Sequence, residues 1–289
     1  MTKRKQSHGR GAHPPRRPLE TDREDTVWLY GFHAVAAALA NPNRPCRHLF
    51  ATTAAAGSDA LAPLLERDGL IVETARRDDI DARLAPGAVH QGVALLCDPL
   101  PEADLDEALA RPGPIVVLDQ ATDPRNVGAV MRSAAALGAA ALIVPRRHGP
   151  PASGALAKAA SGALETLPLV RIGNLARMLA RLQEAGYWCI GFAADAERTL
   201  DEVNFKGKTA LVLGAEGTGL RRLTREACDD MVSIPMAAGG LERAALPGDI
   251  ANTGMSESIE PARLPGDASL NLSAAAAIVL YAAIRGAAD

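Results

Sequence analysis

The segment "PIVVLDQ", Pro114–Gln120, limits the fold more than any other stretch of this chain. Its apolar run shows no alternation with polar residues, so it predicts a strand buried on both faces of a sheet. Beyond it the sequence alternates between helix and strand patterns. Helices are expected over Val127–Leu137, Ser153–Ala163, Leu175–Ala185, Leu220–Cys228 and Asn271–Arg285. Between them "ALIVP", "TLPLVRI", "WCIGFAA", "TALVLG" and "MVSIP" read as strands. Helices alternating with apolar strands build α/β layers around a parallel sheet.

The same alternation, on a smaller scale, precedes this run. Val27–Tyr30 predicts a strand, and Gly31–Ala40 a helix with Val35 and Leu39 on one face, stopped by Asn41-Pro42. "RHLFAT", "LIVETA" and "HQGVALLCDP" read as strands, with helices over Leu61–Arg67 and Asp78–Leu84. The proline-bearing stretch 99–113 holds one short amphipathic helix and reads as a linker. A small α/β unit over 27–98 and a larger one over 114–289 suit a 289-residue chain. Aromatics are only 3%, so aliphatic and alanine packing must fill both cores.

Residues 1–25 carry seven Lys and Arg, with acids only from Glu20 onward, and predict a disordered basic tail able to track phosphates. The whole chain, at net charge -3, does not have the balance of a general nucleic-acid binder. No apolar run reaches the roughly 20 residues a membrane helix needs. The polar, basic start is unlike a secretory signal. Cys46, Cys97, Cys189 and Cys228 are scattered with no Cys-x-x-Cys pair, which predicts neither a metal site nor a disulfide framework and suits a reducing cytoplasm.

Three segments can carry chemistry. "LDQATDPRNVGAVMRSAAALG" is a buried strand, a polar turn and a helix opening at Asp123-Pro124. It places Asn126 in the first helical turn. Arg132, six residues on, falls on a different face. "TALVLGAEGTGLRRL" is a strand, a glycine turn and a helix. It lacks both the Lys-Ser/Thr ending of a phosphate loop and the dinucleotide G-x-G-x-x-G pattern. Glu216 in mid-turn would repel phosphate and suits a cationic or hydroxyl-rich ligand. "SIPM", then "SLNLSAAAAIVLY", ends a strand and begins an alanine-rich helix with capping types at Ser269, Asn271 and Ser273. Alone, the first segment reads better as an ordinary capped helix with a solvated Arg, and the other two read equally well as a tight turn and a capped helix.

Together, "TDPRNVGAVMRSAAALGA", "LVLGAEGTGL", and "SIPM" with "SLNLSAAAAIVLY" resemble, in this order, the three motifs of the SpoU (TrmH-type) RNA 2'-O-ribose methyltransferases. "LYGFHAVAAAL" and "HQGVALLCDP" are similar to the N-terminal RNA-binding domain of the bacterial 23S rRNA guanosine branch. The resemblance runs from about Val27 to Ile284.

This resemblance implies a SPOUT-type C-terminal parallel-sheet domain tied in a trefoil knot, an N-terminal domain similar to ribosomal protein L30e, and a homodimer. It implies S-adenosyl-L-methionine as methyl donor and an RNA ribose, most simply a guanosine of 23S rRNA, as acceptor. No metal or membrane takes part. Asn126, Arg132, Glu216, Ser269 and Asn271 fall on the family's catalytic positions. Gly214, Ala215, Gly217, Ile234, Met236 and Leu270 fall where the family holds its cofactor. The family's suggested base is the arginine, here Arg132. A guanidinium keeps its proton in proteins, so an electrostatic role is the sounder expectation. A tRNA ribose methyltransferase and a non-catalytic RNA-binding relative are the competing readings. In the family "SIPMAAGGLE" and "SLNLS" join almost directly. Here residues 243–268 stand between them as an apparent insertion, net acidic, whose added loop length costs roughly 1.5 kcal/mol.

Overall fold

A computed structural model describes residues 26–147, 149–236 and 270–288. The basic tail, the 243–268 insertion and Ser269 lie outside the described residues.

The first sheet is built from β1 (Val27–Tyr30), β2 (Cys46–Ala51), β3 (Ile71–Thr74) and β4 (Val93–Cys97), with helices α1 (Phe32–Ala40), α2 (Thr53–Ala56) and α3 (Arg77–Asp81). Its order is β1-β4-β2-β3. β4 runs antiparallel to both neighbours, and β2 pairs with β3 in parallel. Leu29, Leu49, Val93 and Leu95 pack with Val35, Ala38 and Leu39 of α1. The other face places Phe50 and Ala94 against Ile80 of α3. Helix α4 (Leu105–Leu109) follows in the stretch leading to the second sheet.

The expected helix over Leu61–Arg67 is only a 3-10 turn at Ala62–Leu64. Arg67 is drawn elsewhere. Its Nη1 donates to the carbonyls of Leu39 (2.7 Å) and Asn41 (2.9 Å), closing the end of α1. The helix over Asp78–Leu84 shortens to α3. The four-residue α2 has too few residues to show a helical period.

The second sheet has seven strands. In chain order the elements are β5 (Ile115–Leu118), α5 (Pro124–Ala136), β6 (Ala141–Pro145), α6 (Gly154–Ala160), β7 (Leu169–Ile172), α7 (Leu175–Glu184), β8 (Trp188–Phe192), β9 (Arg198–Thr199), β10 (Thr209–Leu213), α8 (Arg222–Glu226), β11 (Asp230–Ser233) and α9 (Leu272–Ala288). The spatial order is β7-β6-β5-β10-β8-β11-β9, and every pairing is parallel. Successive residues bury on opposite faces. Val116, Leu118, Leu142, Leu211 and Leu213 join the core that includes α5, α6 and α9. Ile115, Val117, Ile143, Ala210 and Val212 face Leu175, Leu179 and Leu182 of α7. This double coverage explains the continuous apolar runs.

Helix ends differ from expectation for local reasons. α5 starts at Pro124 because Asp123 Oδ1 accepts from Arg125 N at 2.8 Å. α6 stops at Ala160 because Ser161 and Gly162 turn left-handed (φ 52° and 97°). α8 starts late because Arg221 stays extended. α5 and α6 approach closely at Gly128, where an added Cβ would lie 2.5 Å from the Leu156 carbonyl.

One core runs through both sheets, taking in α1 of the first and α6 of the second. A buried ion pair crosses the same seam. Arg44 Nη2 meets Glu165 Oε1 at 2.6 Å, with the side chains 2% and 4% exposed. Asn41 Nδ2 donates to Glu165 Oε2 (2.8 Å), and Arg44 Nη1 to the Asp98 carbonyl (2.9 Å). The pair is therefore fully hydrogen-bonded, as a desolvated pair must be.

Candidate active site

From β5 the chain moves outward to β6 and β7, whereas β8 starts on the far side of β10. In open α/β sheets such a reversal marks the usual ligand crevice, which here falls beyond the carboxyl ends of β5 and β10. The turn after β10 and the start of α5 both face it.

Three distant parts of the chain meet there on one atom. Glu216 Oε1 accepts from Asn126 Nδ2 at 3.0 Å and from Leu272 N at 2.9 Å. Asn126 lies in the first turn of α5, half-buried, and Leu272 is the first residue of α9. The starts of two helices thus meet at one carboxylate. Asn271 caps α9: its Oδ1 accepts from Ala274 N (2.8 Å) and Ser273 Oγ (3.1 Å).

The Glu216 turn is closed on itself. Ala215 N donates to Gly219 O (3.2 Å), and Gly219 N to Ala215 O (3.0 Å). A Cβ on Gly214 would fall 2.1 Å from the Gly219 carbonyl carbon, so only glycine fits there. Gly217 adopts a left-handed φ of 79° at the exposed tip.

The remaining expected residues make no hydrogen bond to Glu216 among the described residues. Leu270 is half-buried just before Asn271. Ile234 packs on the core at the end of β11, and Met236 beyond it is 45% exposed. Arg132 lies on the exposed side of α5 and forms no ion pair or hydrogen bond among the described residues. The Asn126 amide goes to Glu216 and not to Arg132. Thus Asn126, Glu216 and Leu272 are joined by hydrogen bonds, and Arg132 is bonded to none of them among the described residues.

The site has few groups able to take a proton. Histidines among the described residues, His33, His48 and His90, all belong to the first sheet's part of the chain. Burial pushes the thiols of Cys189 and Cys228 up to about 12, so they are neutral at physiological pH and poor nucleophiles. No His, Cys, Asp or Glu cluster among the described residues could hold a metal. No described helix is long and apolar enough to cross a membrane.

Residues 28–103 match the model for RNA 2'-O ribose methyltransferase substrate binding, and residues 113–241 match the SpoU rRNA Methylase family. The 23S rRNA (guanosine-2'-O-)-methyltransferase RlmB of Vibrio vulnificus is 42% identical over 219 residues, covering 73% of this chain and 87% of that protein. The chain belongs to the SpoU rRNA methylase family. RlmB of Escherichia coli is 41% identical over 217 residues, covering 72% of this chain and 88% of its own length. The SpoU methyltransferase AviRb from Streptomyces viridochromogenes, solved in complex with the cofactor AdoMet, is similar with a TM-score of 0.68 and 25% identity, over 91% of this chain and 90% of its own.

In this SpoU chain, sequence reasoning passed over Asp119, which the crevice brings into contact with Arg221 through both carboxylate oxygens. The available signal was an acid closing a wholly apolar strand. A charge at such a position is buried and needs a partner.

Proposed function

We propose that this chain transfers the methyl group of S-adenosylmethionine to the ribose 2'-hydroxyl of a guanosine in 23S rRNA. The observation that carries the reading is the convergence of Asn126, Glu216 and the start of α9 on one oxygen at the crevice. The relatives' names and the AdoMet complex of AviRb support the same chemistry.

The donor set suits S-adenosylmethionine. In this reading the cofactor is held by the Gly214–Gly217 turn and the apolar Ile234, Met236 and Leu270, with the Glu216 carboxylate nearby. A cationic sulfonium tolerates that carboxylate where a dinucleotide's phosphates would not. S-adenosylmethionine, when bound, supplies a methyl already activated by the positive sulfur. The chain's own work is then to orient the ribose oxygen and bear the charge it develops. Arg132, exposed and without a partner among the described residues, is the cation for this role. It clamps a substrate phosphate and stabilises the forming alkoxide, while the proton leaves to phosphate or water. Asn126, Glu216 and Asn271 hold the three motifs in register.

We assign residues 27–98 to an L30e-like RNA substrate-binding domain, 99–113 to the linker and 114–289 to the methyltransferase domain. The family's trefoil knot belongs to this reading, supported by α9 packing against α5 and β10. So does a homodimer, for which the exposed Ile278 and Tyr281 of α9 offer apolar surface. Four free thiols suit the cytoplasm, where ribosomal RNA is modified.

Incubating the chain with labelled S-adenosylmethionine and unmodified total RNA, then separating ribosomal from transfer RNA, tests the assignment. Label in 23S rRNA is expected. Label confined to tRNA would move the chain to a tRNA activity, and none in any RNA would make it a binding protein.

A further inference from the structure

A second link, separate from the Asn126–Glu216 bond, ties the end of β5 to the far end of the turn after β10. Asp119 closes β5 with no exposed surface. Its Oδ2 accepts from Arg221 N at 3.0 Å, and its Oδ1 from Arg221 Nε at 2.8 Å. Nη2 of the same guanidinium lies 2.7 Å from Oδ1. The backbone of Asp119 adds a third tie, its N donating to Leu213 O at 2.8 Å.

Leu213 immediately precedes the Gly214–Leu220 turn, and Arg221 immediately follows it. Asp119 therefore grips both shoulders of the turn at once. A buried carboxylate stripped of its cation is costly, so the turn cannot swing away without stranding that charge. The tip is held separately, by Asn126 and Leu272 through Glu216. The turn is braced at entry, tip and exit, although two of its glycines have left-handed backbones that alone would favour disorder.

We infer that Asp119 and Arg221 are a positioning pair that presets the Gly214–Leu220 turn for S-adenosylmethionine, so that binding need not order it. The inference rests on the proposed methyl donor. The pair acts through the turn and does not touch the reacting atoms. The Arg221 side chain is 43% exposed while Asp119 is fully buried, so the pair is best probed from the arginine.

Purified full chain carrying Arg221→Gln or Arg221→Lys is titrated with S-adenosylmethionine by calorimetry. Amide hydrogen exchange is followed over residues 214–220, and methyl transfer is measured against cofactor concentration. For Arg221→Gln the expected result is a Kd and cofactor KM raised about tenfold, the loss of one charge-assisted hydrogen-bond pair. The kcat at saturating cofactor is largely kept, and exchange quickens from Ala215 to Gly219. Arg221→Lys recovers part of the affinity. Arg146→Gln, which breaks a surface pair with Glu102, leaves all these quantities unchanged. Unaltered affinity and exchange in folded Arg221→Gln would overturn the inference. So would a lowered Tm with unaltered affinity, the mark of a purely structural pair. If the parent chain fails to bind S-adenosylmethionine, the donor assignment falls first and the inference falls with it.

Discussion

Asn126 and Glu216, 90 residues apart, are joined by a 3.0 Å hydrogen bond from amide to carboxylate. The same carboxylate oxygen takes the backbone N–H of Leu272, so one side chain fastens the start of α5 to the start of α9.

Replacing Glu216 by Ala removes both bonds and leaves Asn126 free to rotate. The expected loss is about 1–3 kcal/mol of transition-state stabilisation, roughly ten- to a hundredfold in kcat/KM. Glu216→Gln keeps an acceptor oxygen and falls between the two. Steady-state kinetics on the three proteins checks the order.

Arg132 is expected to serve the reaction and not the donor. Arg132→Ala should lower methyl transfer by at least about a hundredfold, the usual scale for removing an electrostatic stabiliser. The Kd for S-adenosylmethionine should stay within about twofold, since Arg132 makes no hydrogen bond to the Gly214 turn among the described residues. Calorimetry showing lost donor affinity in a folded Arg132→Ala protein would reject this division of labour.

Gly214→Ala puts a methyl group 2.1 Å from backbone carbon at Gly219. Backbone on both sides of the contact cannot yield as a side-chain tip can, so the turn must open. Donor affinity is expected to fall severely, while the far side of the molecule, including the α1–β2 region, keeps its hydrogen-exchange protection.

The seam between the two sheets depends on Arg44 and Glu165. Glu165→Ala strands a buried guanidinium and is expected to cost about 3–5 kcal/mol by urea denaturation. Replacing both residues with apolar side chains of similar volume should recover most of that loss. The comparison separates the cost of an unpaired charge from the worth of the pair.

Burial pushes the thiols of Cys97 and Cys189 up to about 12. In the unfolded chain they ionise near 8.5. Above that value the unfolded state sheds protons that the folded state keeps, so stability falls as pH rises toward 12. The slope is about 1.4 kcal/mol per pH unit for each thiol. Urea midpoints should drop between pH 7 and pH 10, and less in a Cys97→Ala/Cys189→Ala protein.

The parallel sheet was legible because "IVVL", "ALIVP" and "TALVL" are apolar at both parities, which only a doubly covered strand requires. Asn126, Glu216 and Asn271 were legible as candidates because each stands at a turn beside a strand or helix end. Their meeting on Glu216 Oε1 was not, since no local pattern encodes a contact across 90 residues. The 61–67 helix failed because Arg67 is drawn away to cap α1, a tertiary demand that outweighs propensity. Asp119 escaped notice because its partner, Arg221, lies 102 residues on.

The most direct test of the account is the chemical form of the transferred methyl. RNA labelled by this chain is digested completely with alkali, which cleaves only where a free 2'-hydroxyl can attack the neighbouring phosphate. The account predicts label in an alkali-resistant dinucleotide whose first member is guanosine. Label recovered in mononucleotides, the mark of methylation on a base, would contradict it.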